Sequence, residues 1–169
     1  MYDLKWNSDH PGHVVFLIDL SGSMELDNKI NYVIDAVQDS IENLLTHCRN
    51  DKGLPAERVS VSVYGYNYHI ITLWKNYGLS QMASAMLDAE EAGKKIFDPN
   101  GDAKPEYQTC MKLAFEEAKK DVEQWIQSQQ GKLMYRRLLL SMSPMAIRMK
   151  GRSTIKSEYI LIRSKLLKN

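Results

Sequence analysis

Three oxygen-bearing side chains lie close together in the segment DLSGSM. Asp19, Ser21 and Ser23 occupy alternate positions directly after the apolar run HVVFLID, and a tight loop can turn such positions toward one hard cation. Mg²⁺ prefers oxygen ligands in octahedral geometry at about 2.0–2.1 Å and keeps several of its waters. One carboxylate and two hydroxyls leave the bound ion with residual positive charge, so it would attract a carboxylate from another molecule. The pattern therefore predicts a recognition site. The alternative is a Ser/Asx turn that caps a strand-to-helix junction without a metal.

The elements on either side of this segment have clear sequence signals. HVVFLID is rich in β-branched residues and predicts a strand buried on both faces, and SGSM predicts a turn. After it, apolar residues recur at steps of three and four and predict the buried face of a long helix, with Asp27 or Asn28 as its N-cap. These apolar residues are Ile30, Val33, Ile34, Val37, Ile41, Leu44 and Leu45.

The order of the remaining elements indicates the fold class. RVSVSVYGYN and YHIITLW predict an antiparallel hairpin, LSQMASAMLDAEEAG a short helix, residues 109–130 a second long helix, and YRRLLLSM a fourth strand. The predicted fold is α/β, a doubly wound and mostly parallel sheet with one antiparallel edge strand. In such sheets ligands bind beyond the carboxyl ends of the strands, which is where DLSGSM falls.

Composition limits the classes of protein to consider. The 169 residues are 44% hydrophobic and 25% charged, typical of one globular domain. We expect no membrane contact and a cytoplasmic location, since no apolar run could span a bilayer and the first residues resemble no signal peptide. Cys48 and Cys110 form no zinc or disulfide pattern. Motifs of phosphatases, P-loop enzymes and esterases are missing, so we expect no catalysis.

The chain resembles the von Willebrand factor type A (VWA) family over roughly residues 13–130. The features that carry the resemblance are the run VVFLIDLSGSM, the amphipathic helix after it, the hairpin YGYNYHIITLW, and Thr109 opening a second helix. The resemblance is to a bacterial-type cytoplasmic member with a Rossmann-like sheet. It implies a metal-ion-dependent adhesion site for Mg²⁺, with Mn²⁺ as an alternative. Asp19, Ser21 and Ser23 would supply the first ligand loop and Thr109 the second.

In the family, an acidic residue of a partner protein completes the metal's shell, so the resemblance implies a protein partner that offers a carboxylate. Before its threonine the family often has glycines, where this chain has residues 106–108, EYQ. A second interpretation of Thr109 is that it caps the helix, and the two roles are compatible.

The last 38 residues differ sharply in charge from the rest. Residues 1–131 carry 12 Lys and Arg against 20 Asp and Glu, and residues 132–169 carry 10 against 1, so the formal charge changes from −8 to +9. After its fourth strand the family has an aspartate in a third metal loop, but the segment RRLLLSMSPMAIRMKG contains no acid. Back-translation in a shifted frame from Tyr135 permits PPIIVINVTDGYSYEG, with the aspartate at Met145.

These observations suggest a frameshift just upstream of Arg136. We therefore expect an incomplete VWA-like domain over residues 13–142, lacking the family's C-terminal third, and an atypical basic tail over residues 143–169. The predicted function is metal-dependent protein binding. The alternatives are an inactive remnant of such a domain and a nucleic-acid binder that uses the basic tail.

The frameshift hypothesis makes a prediction about the gene. The codons for residues 135–151 should spell the family's fourth strand and a Thr-Asp-Gly loop when read one base out of phase. Nucleotide sequencing measures this directly. Codons that cannot encode the aspartate at the junction of Pro144 and Met145 would refute the hypothesis.

Overall fold

The computed structural model describes residues 11–50, 52–53, 56–105 and 109–129, together with the backbone of residues 136–142 and 160–161. The first seven strands and helices follow the order that the sequence predicts. The strands and helices are β1 (Gly12–Asp19), α1 (Lys29–His47), β2 (Val59–Tyr66), β3 (Ile70–Gly78), α2 (Leu79–Glu91), α3 (Met111–Ser128), β4 (Arg136–Met142) and β5 (Ile160–Leu161). Two short 3-10 turns, Gly22–Met24 and Leu26–Asn28, lie between β1 and α1.

The strands form one sheet in the order β3-β2-β1-β4-β5. β1 pairs in parallel with β2 and β4, and β3 pairs antiparallel with β2 at one edge. The prediction of an α/β fold with a parallel centre and an antiparallel edge strand is confirmed. At the other edge, β5 adds a second antiparallel pairing of two residues with β4.

Alternate residues of β1 face two different helical layers. Val14, Phe16 and Ile18 belong to the larger apolar cluster, which includes the buried face of α1. Val15 and Leu17 belong to a second cluster with α3. The strand is buried at all eight positions because helices cover both faces of the sheet.

The two hairpin tyrosines of β2 are more buried than the sequence suggests. Tyr64, Tyr66 and Tyr68 occupy alternate positions of the hairpin, and this pattern predicts half-buried sheet positions for all three. Tyr64 and Tyr66 are fully buried beneath α3, whereas Tyr68, beyond the strand end, is exposed. The reason is that α3 covers this face of β2 up to its last residue.

The start of α1 has an unusual backbone. Asn28 holds the N-cap position, as predicted, but its side chain makes no capping hydrogen bond to the backbone. Its Oδ1 instead accepts a hydrogen bond from Nδ2 of Asn31. Asp27 and Asn28 both have left-handed φ angles, 55° and 59°. Aspartate and asparagine tolerate this conformation better than most residues, which explains their presence here.

A carboxylate from the loop before β2 fixes the first turn of α2. Glu57 accepts hydrogen bonds from the backbone N–H groups of Leu79 and Ser80, at 2.9 and 3.0 Å, and from the Ser80 hydroxyl at 2.7 Å. Burial raises the pKa of Glu57, but these hydrogen bonds outweigh it and hold the pKa below its usual value. The bonds satisfy N–H groups that the helix itself leaves unpaired.

The helix α3 begins and packs differently from its prediction. It starts at Met111, and Cys110 rather than Thr109 holds the N-cap position, so the interpretation of Thr109 as a helix cap is wrong. The spacing of small and apolar residues predicts a stripe of this helix packed on the sheet, made of Cys110, Ala114, Ala118, Val122 and Trp125. Ala114, Ala118 and Trp125 of this stripe are buried. Asp121 ends the charged stretch FEEAKKD, which predicts a solvated helix face, but it is buried.

The buried Asp121 pairs with a histidine of β1. Its Oδ2 accepts a hydrogen bond from His13 Nε2 at 3.1 Å, and His13 Nδ1 lies 2.8 Å from the hydroxyl of Ser60. The imidazole also stacks on Trp125, with ring centroids 5.1 Å apart. His13 and Asp121 are 0% and 1% exposed. This network links α3 to two strands and gives one oxygen of the buried carboxylate a hydrogen-bond partner.

Hydrogen bonding controls the ionisation of Asp121. Burial raises the pKa of its carboxyl, but the hydrogen bonds and charge of His13, with the nearby hydroxyls of Ser62 and Tyr64, outweigh burial and lower the pKa. Burial and the neighbouring Asp121 charge raise the pKa of Tyr64 above its usual value. At neutral pH the carboxylate is therefore ionised and the phenol is protonated.

No helix within the described ranges is both long and apolar enough to cross a membrane.

The lowered pKa of Asp121 predicts how stability changes with pH. A group whose pKa is depressed by folding stabilises the fold above its unfolded-state pKa and loses that contribution as the pH falls through the folded-state value. Stability should therefore fall below about pH 4. The substitution Asp121→Asn should cost about 1–3 kcal/mol at pH 7 and flatten this part of the profile. Urea unfolding between pH 3 and 7 measures both effects.

The matched control for this experiment is Glu123→Gln, on the exposed face of the same helix beside Lys119. It should change stability by less than about 0.5 kcal/mol. An Asp121→Asn profile that parallels the wild type at acid pH would contradict the assignment.

Candidate functional site

The loop after β1 brings the predicted ligand side chains together. Oδ1 of Asp19 accepts a hydrogen bond from the backbone N–H of Ser21 at 2.9 Å, and the hydroxyl oxygens of Ser21 and Ser23 are 3.0 Å apart. Met24 N–H donates to the carbonyl of Ser21 at 2.9 Å and closes the turn. Asp19 and Ser21 are 8% and 7% exposed, and Ser23 is exposed. The loop therefore presents one carboxylate and two hydroxyls at the end of the central strand.

Buried neighbours fix the shape of this loop. Leu20, between Asp19 and Ser21, is fully buried in the larger core cluster, and its N–H donates to the carbonyl of Tyr66 at 2.8 Å. Room for Leu20 comes from Gly65, where an added Cβ would lie 2.4 Å from Leu20 Cδ1. Because residue 65 is glycine, Leu20 fits into the core here and anchors the loop.

The donor set fits a hard divalent cation. Two neighbouring ligands of an octahedral Mg²⁺ ion, each about 2.1 Å from it, are about 3.0 Å apart. The two serine oxygens have this separation. The same distance also suits a hydrogen bond between two hydroxyls, so it agrees with the turn interpretation as well.

Thr109 lies at the same edge of the sheet as this loop. The N–H of the next residue, Cys110, donates to the carbonyl of Asn67 at 2.6 Å. Asn67 directly follows Tyr66, whose partner in the β1–β2 register is Asp19. Thr109 is exposed. The second predicted ligand segment is thereby fastened beside the end of the strand that carries Asp19.

The third ligand loop that the VWA resemblance implies would come directly after β4. β4 ends at Met142, in register with Ile18 of β1. Met145, the position at which the shifted reading frame would give an aspartate, and the tail over residues 143–159 and 162–169 lie outside the described residues. Within the part of the chain that the structure describes, no three His, Cys, Asp or Glu side chains group as a metal site.

A second polar cluster contains the groups of a hydrolytic triad. Ser60, His13 and Asp121 form a hydroxyl–imidazole–carboxylate chain. The imidazole and carboxylate, however, lie completely buried between the sheet and α3. Because a substrate could not reach the imidazole, we assign these three residues a structural role: they hold α3 against the sheet.

Sequence reasoning missed this cluster, although a signal was present. The residues of α3 that face the sheet follow steps of four, three and four from Ala114 through Ala118 and Asp121 to Trp125. The predicted stripe used Val122 in place of Asp121. Val122 is partly buried at the side of the same face. An aspartate within a helical apolar stripe, together with a histidine at the start of a buried strand, was the available signal.

No family model matches the chain, and no curated protein matches it. Among solved structures, the chain is similar to the vWF domain of the type V pili tip protein Mfa5 from Porphyromonas gingivalis, with 16% identity, a TM-score of 0.48, and coverage of 82% of this chain and 42% of that one. A structure of three N-terminal domains of the same protein gives 16% identity, a TM-score of 0.46, and coverage of 82% and 22%. The TFIIH p34 N-terminal domain gives 13% identity, a TM-score of 0.44, and coverage of 80% and 67%. The chain thus spans less than half the length of both Mfa5 chains.

The contact between Gly65 and Leu20 predicts a sensitive position. The substitution Gly65→Ala should displace Leu20 and destabilise the protein by about 1–3 kcal/mol, because the core at this point has no space for a methyl group. Urea unfolding measures the loss.

A second substitution separates this steric effect from a general loss of β2 stability. In the double variant Gly65→Ala with Leu20→Val, the smaller valine at position 20 makes room for the new methyl group. The double variant should therefore lose less free energy of unfolding than the sum of the losses in the two single variants. Strict additivity would show that Leu20 is not the group displaced.

Proposed function

We propose that the chain is a metal-ion-dependent protein-binding module. In this proposal Asp19, Ser21, Ser23 and Thr109 hold Mg²⁺, or alternatively Mn²⁺, at the carboxyl edge of the sheet. The ion supplies positive charge at the protein surface. A carboxylate from a partner protein binds there.

The spacing of the two serine hydroxyls beside a largely buried carboxylate is the observation that carries this proposal. Asp19 contributes the negative charge that draws the cation, and its hydrogen bond from Ser21 N–H holds the carboxylate over the loop. The hydroxyls add oxygen ligands without adding charge. The ion therefore keeps enough net positive charge to attract an anion from outside.

In this proposal the protein acts as a binding module of the cytoplasm and not as an enzyme. No group in the Asp19 loop is suited to act as a general base toward a bound substrate. Two alternative functions can be distinguished from metal-dependent protein binding by experiment. A basic-tail nucleic-acid binder would lose affinity steeply with salt, and an inactive remnant would bind neither metal nor partner.

Addition of metal should raise thermal stability. If the Kd for Mg²⁺ is about 1 mM, then 10 mM Mg²⁺ stabilises the fold by about 1.4 kcal/mol. For a chain of this size, the melting temperature should rise by about 3–6 °C. EDTA should reverse the rise. Differential scanning calorimetry with and without Mg²⁺ measures it.

Variants test which residues hold the ion. Ser21→Ala should remove the Mg²⁺-dependent rise while leaving the metal-free melting temperature nearly unchanged. Ser84→Ala, on the exposed side of α2, should retain the full rise. An equal Mg²⁺ effect in wild type and Ser21→Ala, or no effect in either, would reject the metal mechanism.

A further inference from the structure

Exposed apolar side chains concentrate at the edge of the sheet that carries the Asp19 loop. In the described part of the chain, six large apolar side chains are exposed. Five of them lie in the loops or first helical turn that follow β1 and β2, or in the first turn of α3. These five, which we call the apolar rim, are Leu26, Tyr32, Tyr68, Met111 and Leu113. The sixth, Leu87, lies in the third turn of α2. Single exposed apolar residues are ordinary on protein surfaces, but concentration at one edge is typical of an interaction site.

Backbone contacts connect the rim to the candidate metal loop. Leu26 comes three residues after Ser23, at the start of the second 3-10 turn. Tyr68 and Met111 are brought near each other by the hydrogen bond between Cys110 N–H and the Asn67 carbonyl, since each directly follows one of the bonded residues. The rim and the polar loop therefore belong to the same edge of the sheet.

The backbone directly after Leu26 has an uncommon conformation. Leu26 is 61% exposed, and the two residues after it both have left-handed φ angles. Left-handed conformations are uncommon at residues other than glycine, although aspartate and asparagine adopt them more readily than most, and they tend to cluster at functional sites. The chain thus maintains a turn that keeps a leucine in solvent beside the loop.

We propose that the apolar rim selects a partner protein whose metal-binding carboxylate is flanked by aromatic or long aliphatic side chains. The inference rests on the proposed function, because the cation provides the attraction for the carboxylate. The rim would bury the flanking groups and exclude water from the bond between metal and carboxylate. Excluding water lowers the local dielectric constant and so strengthens the electrostatic attraction between cation and carboxylate. The apolar contacts around this bond would keep water out, as they do around the centres of protein interfaces.

Two small carboxylates serve as probes: acetate, and 4-phenylbutyrate, which adds an aromatic ring on a flexible chain. Their binding to the full chain is followed by NMR from the methyl signals of Leu26 and Met111, in Mg²⁺ and in EDTA. With Mg²⁺, phenylbutyrate should bind about tenfold more tightly than acetate. In EDTA both should bind much more weakly.

Surface variants test whether the rim causes the tighter binding of phenylbutyrate. Leu26→Ser and Met111→Ser should each reduce the preference for phenylbutyrate at least about threefold, with acetate binding unchanged. Leu87→Ser is the matched control, because Leu87 is 58% exposed but lies outside the rim. It should leave the preference intact.

The remaining outcomes separate failure of the rim from failure of the metal site. Equal Mg²⁺-dependent binding of both probes would overturn the rim and leave the proposed function standing. A preference for phenylbutyrate that persists in EDTA would overturn the coupling of rim and cation. Absence of any Mg²⁺-dependent binding would overturn both proposals.

Discussion

The parallel pairing of β1 with β2 is the constraint on which the rest of the site depends. It aligns Asp19 with Tyr66, so the loops that follow the two strands begin at the same level. The hydrogen bond from Leu20 N–H to the Tyr66 carbonyl continues this pairing one residue into the first loop. The second loop then fixes the approach to α3 through Asn67. A shift in register would separate Asp19 from the segment that carries Thr109.

The fold could be predicted from the sequence wherever burial produces a regular pattern. The apolar run of β1, the spacing along α1 and the short hairpin connection gave the correct element types and strand directions. Helix ends were less predictable because they depend on single contacts. α3 starts at Met111 after Cys110 is tied to Asn67, and a sequence pattern does not reveal a contact between residues 43 positions apart.

The grouping of Asp19, Ser21 and Ser23 was also predictable, because a tight loop leaves few ways to arrange alternate residues. The burial of Asp121 was not. Its pattern position fits the apolar stripe, but polarity alone places an aspartate in solvent, and the compensating His13 lies 108 positions away. Buried polar pairs of this kind require the tertiary structure, since each residue looks unfavourable without its partner.

The carboxylate of Glu57 has a consequence for the order in which this chain folds. It ties the start of β2 to the first turn of α2, 22 and 23 positions later, so the hairpin and its following helix form a closed local segment. Closing a short loop loses less chain entropy than pairing β1 with β4, more than 120 positions apart. We therefore expect residues 56–91 to act as one cooperative unit that forms early, against which the central strand can later align.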